Sequence, residues 1–254
     1  MTSLSSLTQK LAEQTKGKAI IHRKTASTND DAKALALSGA PHGTVVIALS
    51  QTKGRGRLGR VFSSKRGGLY LSFLVRNQHK TDPVKLTLTA AVATARAIEG
   101  LTDLSVGIKW VNDLHIQGKK CCGILVEGVY DGVSPLPVAA VVGIGINLSN
   151  PLPKELEQIA TSLQKEGAPV AHSDMAEALI KELAEGFAEN APFPIKEYRL
   201  RSVTVGKTVT VHTPSESYDA KAIGILDDGS LLVEAKGEER ILCAGEVTLH
   251  STNL

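Results

Sequence analysis

Two short segments hold the residues best suited to chemistry. The first is QTKGRGRLGRVFSSKR (51–66), which carries six cations (Lys53, Arg55, Arg57, Arg60, Lys65, Arg66) and no acid. Its glycines allow close approach of backbone to a ligand, and its guanidinium forks suit bidentate bonds to phosphate or carboxylate. The second is IKWVNDLHIQGKKCCGILVEG (108–128), where Lys109, Asn112, Asp113 and Lys120 interrupt an otherwise apolar hairpin. Burying such groups is costly unless they pair with one another or with a ligand. Something anionic is the natural partner of the first segment.

Several familiar chemistries are excluded by what surrounds these residues. Gly54, Gly56 and Gly59 spell G-x-G-x-x-G, but the loop leads into another strand, whereas a dinucleotide fingerprint opens a helix. With Val61 the string also fits a kinase glycine loop, yet no V-A-I-K, H-R-D or D-F-G follows. Neither a P-loop nor the G-x-S-x-G of serine hydrolases occurs. His115 with Cys121 and Cys122 lacks zinc spacing, and the seven histidines form no H-x-x-x-H. A solvated basic loop that touches nucleic acid is the plain alternative. It is disfavoured because the basic residues do not recur and aromatics are only 4% of the chain.

The elements that must position these groups follow from patterning. Residues 5–15 predict a helix and AIIHR (19–23) a strand. Ser27 and Thr28 each precede an aspartate by three residues, a capping pattern that predicts a helix over about 28–38. TVVIALS (44–50) and LYLSFLVR (69–76) are apolar, strand-like runs flanking the basic loop. Asp82-Pro83 opens a helix that ends at Gly100. Strands are expected at 106–111, 123–130 and 137–147, the first two joined by a turn near Gly118, then helices at 154–164 and 173–190. After APFP (191–194) five short alternating segments, TVTVHT, AKAIGIL, LLVEA, ERILCA and EVTLH, suit a small barrel. Trp110, the single tryptophan, reads by itself as a core residue.

At 254 residues, with domains typically about 100–200 residues long, the chain holds one large domain or a large and a small one. Its 42% apolar and 22% charged residues are those of a globular protein. Lys and Arg total 29 against 26 Asp and Glu, but outside 51–66 the balance is a net −3. No run approaches the roughly 20 apolar residues of a membrane span, and the N-terminus lacks a secretory h-region, so a cytoplasmic protein is expected. Three cysteines, two of them adjacent, make no disulfide framework.

GRGRLGR (54–60), KWVNDL (109–114), KKCCGILVE (119–127) and GIGIN (143–147), in this order and spacing, resemble the biotin–protein ligases; STN (27–29) and Gln51 also fit. Val111 stands where members usually carry proline, and Phe62 where an aromatic often follows the last arginine. The resemblance implies an α+β fold. A mixed-sheet catalytic domain with flanking helices, of the class II aminoacyl-tRNA-synthetase-like biotin/lipoate ligase type, would span 1–200, and an SH3-like barrel 201–254. With only 26 residues before Ser27, a DNA-binding winged helix is not expected, nor a repressor role.

It further implies ATP-dependent biotinylation of a lysine on a biotin carboxyl carrier protein domain, through a biotinyl-AMP intermediate and with Mg²⁺. Lipoate ligation, or binding of biotin or nucleotide without catalysis, are the alternatives. By resemblance, Ser27, Thr28, Asn29, Gln51, Arg55, Gly56, Arg57, Lys120 and Gly123 bind biotin. Arg55, Arg57, Phe62, Lys109, Asn112, Asp113 and Asn147 face the nucleotide, Lys120 and Arg57 are catalytic, and Asp113 is the candidate metal ligand. Neither nucleic acid nor a membrane is an expected partner; a homodimer is left open.

Overall fold

The apolar runs VVIA and LYLSFLV are buried on both faces, as strands in the middle of a covered sheet must be. In the computed structural model, which describes residues 4–15, 17–76, 82–213, 216–243 and 246–249, they are β2 (Val45–Ala48) and β3 (Leu69–Val75). They join β1 (Ala19–His22), β4 (Gly107–Lys109), β5 (Asp113–Ile116), β6 (Lys119–Val129) and β7 (Ala139–Ile146) in a seven-stranded sheet. Its order is β1-β2-β3-β7-β6-β5-β4, with β1 and β2 parallel and the remaining pairs antiparallel.

Alternate residues of β2 face different cores. Val45 and Ile47 belong to the buried apolar cluster that holds Leu88 and Leu179, whereas Val46 belongs to the one that holds Ala32 and Ala36. One face therefore carries α1 (Leu4–Thr15), α3 (Pro83–Glu99) and α4 (His172–Gly186), and the other α2 (Thr28–Leu37). The start of α3 is built as its sequence predicts. Pro83 occupies the first turn, and the Asp82 carboxylate accepts from Val84 N at 2.9 Å. At α2 the capping pattern is not used: Ser27 stands at the N-cap but its hydroxyl makes no cap bond.

Three expectations are corrected. The hairpin contains an additional strand, β5, because Gln117 and Gly118 both adopt positive φ (49° and 79°), the two-residue turn that twisted antiparallel strands favour. Residues 154–164 form only a 3₁₀ turn at Lys154–Leu156. Their backbone bonds go elsewhere: Lys120 N donates to Ile159 O, Thr161 N to Lys120 O and Leu163 N to Asn147 O. Pairing with the sheet wins over local helix preference. A short helix, α5 (Ile195–Leu200), occupies the connector.

The C-terminal segments form a second, antiparallel sheet. It comprises β8 (Thr208–His212), β9 (Ser217–Ile225), β10 (Leu231–Ala235), β11 (Glu238–Leu242) and β12 (Glu246–Leu249), in the order β11-β10-β9-β8-β12. Hydrogen bonding does not close it into a ring among the described residues, and Ala244 and His250 of the expected segments lie outside them. Trp110 fastens this sheet to the first. Its Nε1 donates to Gly229 O at 3.0 Å and its backbone N to Thr204 Oγ1 at 2.8 Å. One continuous apolar core runs through both sheets. No described helix is long and apolar enough to cross a membrane.

Candidate active site

Where α2, the basic loop, the β5–β6 hairpin and β7 converge they form a cleft of about 150 Å³. Ser27, Thr28 and Asn29 line it from the start of α2; Gln51, Arg55, Gly56, Arg57 and Phe62 from the loop. Lys109, Asn112 and Asp113 line it beside the hairpin turn's outer strands, and Lys120 and Gly123 from β6. Thus segments far apart in the chain meet at one place. Asn147 does not line the cleft. Its amide is spent inside the protein, donating to Thr161 O and accepting from Asn150 Nδ2, both at 3.0 Å.

One end of the cleft is neutral and rich in hydrogen-bonding groups. Gln51 Oε1 accepts from Thr28 N (2.8 Å) and Thr28 Oγ1 (3.1 Å), while its Nε2 donates to Ser64 Oγ. Ser72 Oγ lies 2.8 Å from Thr28 Oγ1 and 2.6 Å from Asn29 Oδ1. Ser72 is a signal that sequence reading passed over: a small polar residue between the large apolar ones of LYLSFLV, fully buried, needs partners.

The floor is made of glycine. Gly123 on β6 and Gly145 on β7 are directly paired. A Cβ at Gly145 would lie 2.4 Å from the Phe62 ring, and one at Gly143 2.2 Å from Asn29 Oδ1. Gly143→Ala should therefore expel Asn29 from its bonds and leave buried polar groups unpaired, at a cost of about 1–3 kcal/mol. The expected result is about 5–150-fold weaker binding of the ligand at this end, measured by calorimetry.

The other end is cationic. Lys120 Nζ sits 2.7 Å from Asp113 Oδ1 and 6.0 Å from the Phe62 ring centre. Arg57 Nη1 donates to Asn112 Oδ1 at 3.3 Å, tying the loop to the hairpin across the opening. Arg55 behaves differently from the expectation of a ligand-facing fork. Both its terminal nitrogens bond Asp30, at 2.8 and 2.5 Å, and one lies 3.4 Å from Glu127. The bond from Arg55 holds the Asp30 carboxyl below the usual carboxylate range. Burial pushes Glu127 up, but hydrogen bonds from Lys33 and Asn29 outweigh it, and the carboxyl lies below its ordinary value.

The neighbouring cysteines take no part. Burial pushes the Cys121 thiol up to about 12 and Cys122 well above its ordinary value, so neither is a thiolate near neutrality. No group of three or more His, Cys, Asp or Glu able to hold a metal exists among the described residues.

A profile of the biotin/lipoate A/B protein ligase family matches residues 20–147, which include all the cleft residues named above; Val247, which also lines the cleft, lies beyond that span. The chain belongs to the biotin/lipoate A/B protein ligase family. Among its relatives, the bifunctional ligase/repressor BirA of Bacillus subtilis is 35% identical over 238 residues, covering 89% of this chain and 72% of that protein. The biotin–[acetyl-CoA-carboxylase] ligase of Mycobacterium tuberculosis is also 35% identical, covering 88% of this chain and 86% of that one. A family member from Aquifex aeolicus, a biotin protein ligase solved with biotin and ATP, superposes with a TM-score of 0.80 at 27% identity. That match covers 92% of this chain and 99% of the other. The mixed sheet with flanking helices and the small C-terminal sheet are therefore the family's fold.

Proposed function

We propose that this chain is a biotin–protein ligase: it activates biotin with ATP and transfers the biotinyl group to a lysine of a biotin carboxyl carrier domain. The observation that carries the proposal is the polarity of the cleft, neutral donors and acceptors at one end and Lys120, Lys109 and Arg57 at the other. A cyclic urea can satisfy the first end, and two anions can be neutralised at the second. A dithiolane ring, as in lipoate, offers no N–H or C=O to the hydrogen-bonding capacity that Thr28, Asn29 and Gln51 retain beyond their mutual bonds, which disfavours it relative to a cyclic urea.

In the first step the biotin carboxylate attacks the α-phosphorus of ATP and pyrophosphate leaves. Lys120 and Arg57 stand where the two negative groups must meet, and fixed cations there stabilise the developing charge. Asp113 keeps Lys120 aimed into the cleft. Mg²⁺ commonly takes one or two protein carboxylates and completes its shell with water and phosphate oxygens. Asp113, a carboxylate lining the cleft whose Oδ1 meets Lys120, would hold the ion through its second oxygen, and the ion would neutralise phosphate charge. In the second step the carrier lysine attacks the acyl carbon and AMP leaves. The mixed anhydride is hydrolysable, so residues 51–66 serve as a cover that excludes water. Residues 1–200 would supply the chemistry, and the 201–254 unit one wall of the cleft through Val247.

The reading predicts exchange of labelled pyrophosphate into ATP that requires biotin and Mg²⁺ and is abolished by EDTA. Exchange with lipoate but not biotin would contradict it.

A further inference from the structure

Glu127 lies on β6 just outside the cleft, and its carboxylate gathers groups from three places. Oε2 accepts from Asn29 Nδ2 at 2.7 Å and lies 3.4 Å from Arg55 Nη2, while Oε1 accepts from Lys33 Nζ at 2.5 Å. Asn29 belongs to the polar end of the cleft and Arg55 to the glycine loop. We propose that Glu127 is a positioning residue that couples the biotin end of the cleft to the glycine loop, acting through Asn29 and Arg55 without touching substrate. The proposal rests on the ligase reading above.

The first arm concerns the Asn29 amide. A carboxylate only accepts hydrogen bonds, so Glu127 binds the NH₂ side of Asn29 and selects one of its two flips. Leu125 O accepts from the same nitrogen at 3.4 Å, and Ser72 donates to Oδ1. Oδ1 is thereby fixed over Gly143 on the cleft floor, an acceptor ready for a ureido N–H. Glutamine at position 127 carries a donor as well as an acceptor, so it would tolerate either flip.

The second arm concerns the loop. Arg55 spans from the loop to Asp30 on α2, with Glu127 as a second carboxylate beside it. Its side chain is 35% exposed, so this latch is modest and can open and close. Binding at the polar end that steadies Asn29 also steadies Glu127, and with it the latch. Sequence carries a trace of this: Glu127 is the single charge within GILVEG, and Asp30 follows STN directly.

The test uses the full chain with Glu127→Gln, Asp30→Asn and the double variant. Two quantities are read: the Kd for biotin by calorimetry, and the rate at which preformed biotinyl-adenylate leaves during a chase. Asp30→Asn weakens only the loop arm, so release should quicken about 3–10-fold with the biotin Kd within about twofold. Glu127→Gln should weaken biotin about tenfold or more and also quicken release. The double variant should release no faster than about twice the quicker single variant, because both act through Arg55. Independent, fully multiplying effects on release would overturn the coupling. So would a Glu127→Gln protein that shifts only Tm, or an Asp30→Asn protein with unchanged release; the latter decides the loop arm even if the Glu127 variant fails to fold. A wild-type chain that neither binds biotin nor makes the adenylate would overturn the ligase reading itself, a result distinct from these.

Discussion

Lys120→Ala should fold normally and lose about 10²–10³-fold in the rate of biotin-dependent pyrophosphate exchange, the usual cost of removing one preorganised charge-stabilising donor. Its side chain is 32% exposed and pairs with Asp113 at 2.7 Å, so truncation opens no core cavity. The backbone of residue 120, which bonds Ile159 and Thr161, is untouched by the change. What is lost is a cation aimed at the meeting point of carboxylate and α-phosphate. The loss should fall mainly on kcat, since the charge it offsets grows as the two anions approach. Lys120→Arg should recover part of the rate, because it restores charge with a different reach. Near wild-type turnover in Lys120→Ala would remove this lysine from the reacting centre.

Arg57→Gly should leave adenylate formation measurable but let the intermediate escape. Arg57 begins the 3₁₀ turn Arg57–Gly59 at the loop tip, where Leu58 takes a positive φ of 53°. From there its guanidinium reaches Asn112 across the opening. The loop base is held independently: Gly56 N donates to Arg60 O, Phe62 N to Gly54 O, and Arg55 grips Asp30. Removing Arg57 therefore opens the clasp without dissolving the loop. A weaker clasp acts chiefly on the off-rate, and free biotinyl-adenylate acylates exposed lysines unaided. The variant should biotinylate bystander proteins that the wild type leaves unlabelled, visible on a streptavidin blot. A labelling pattern equal to wild type would mean that the loop is merely a solvated basic segment. Protease nicking within 53–66 checks the cover separately: ligands should suppress it.

The cleft residues were legible because each breaks a local pattern: arginines between glycines, and lysine, asparagine and aspartate inside apolar strands. Strands β2 and β3 and helix α3 were legible for the converse reason, since run length, proline and cap agree there. What escaped depends on partners distant in the chain. Residues 154–164 carry a fair helical pattern, yet their carbonyls and amides are taken by Lys120 and Asn147, which no local window includes. The resemblance puts Asn147 toward the nucleotide; in the fold it stands outside the cleft lining, with its amide bracing the 147–161 segment. The resemblance gives Arg55 to biotin and nucleotide; the carboxylates that engage it in the fold, Asp30 and Glu127, come from two other elements. Charge alone shows that a partner exists, not where it lies.

The most direct test of the central claim is transfer in a single tube. The chain is incubated with ATP, Mg²⁺ and a purified biotin carboxyl carrier domain, with biotin or lipoate as the acid, and the acceptor is read by intact mass and streptavidin blot. The ligase account predicts one biotinyl adduct on one acceptor lysine, dependent on ATP, and no lipoyl adduct. An unmodified acceptor in the presence of biotin and ATP, or modification by lipoate alone, would contradict it.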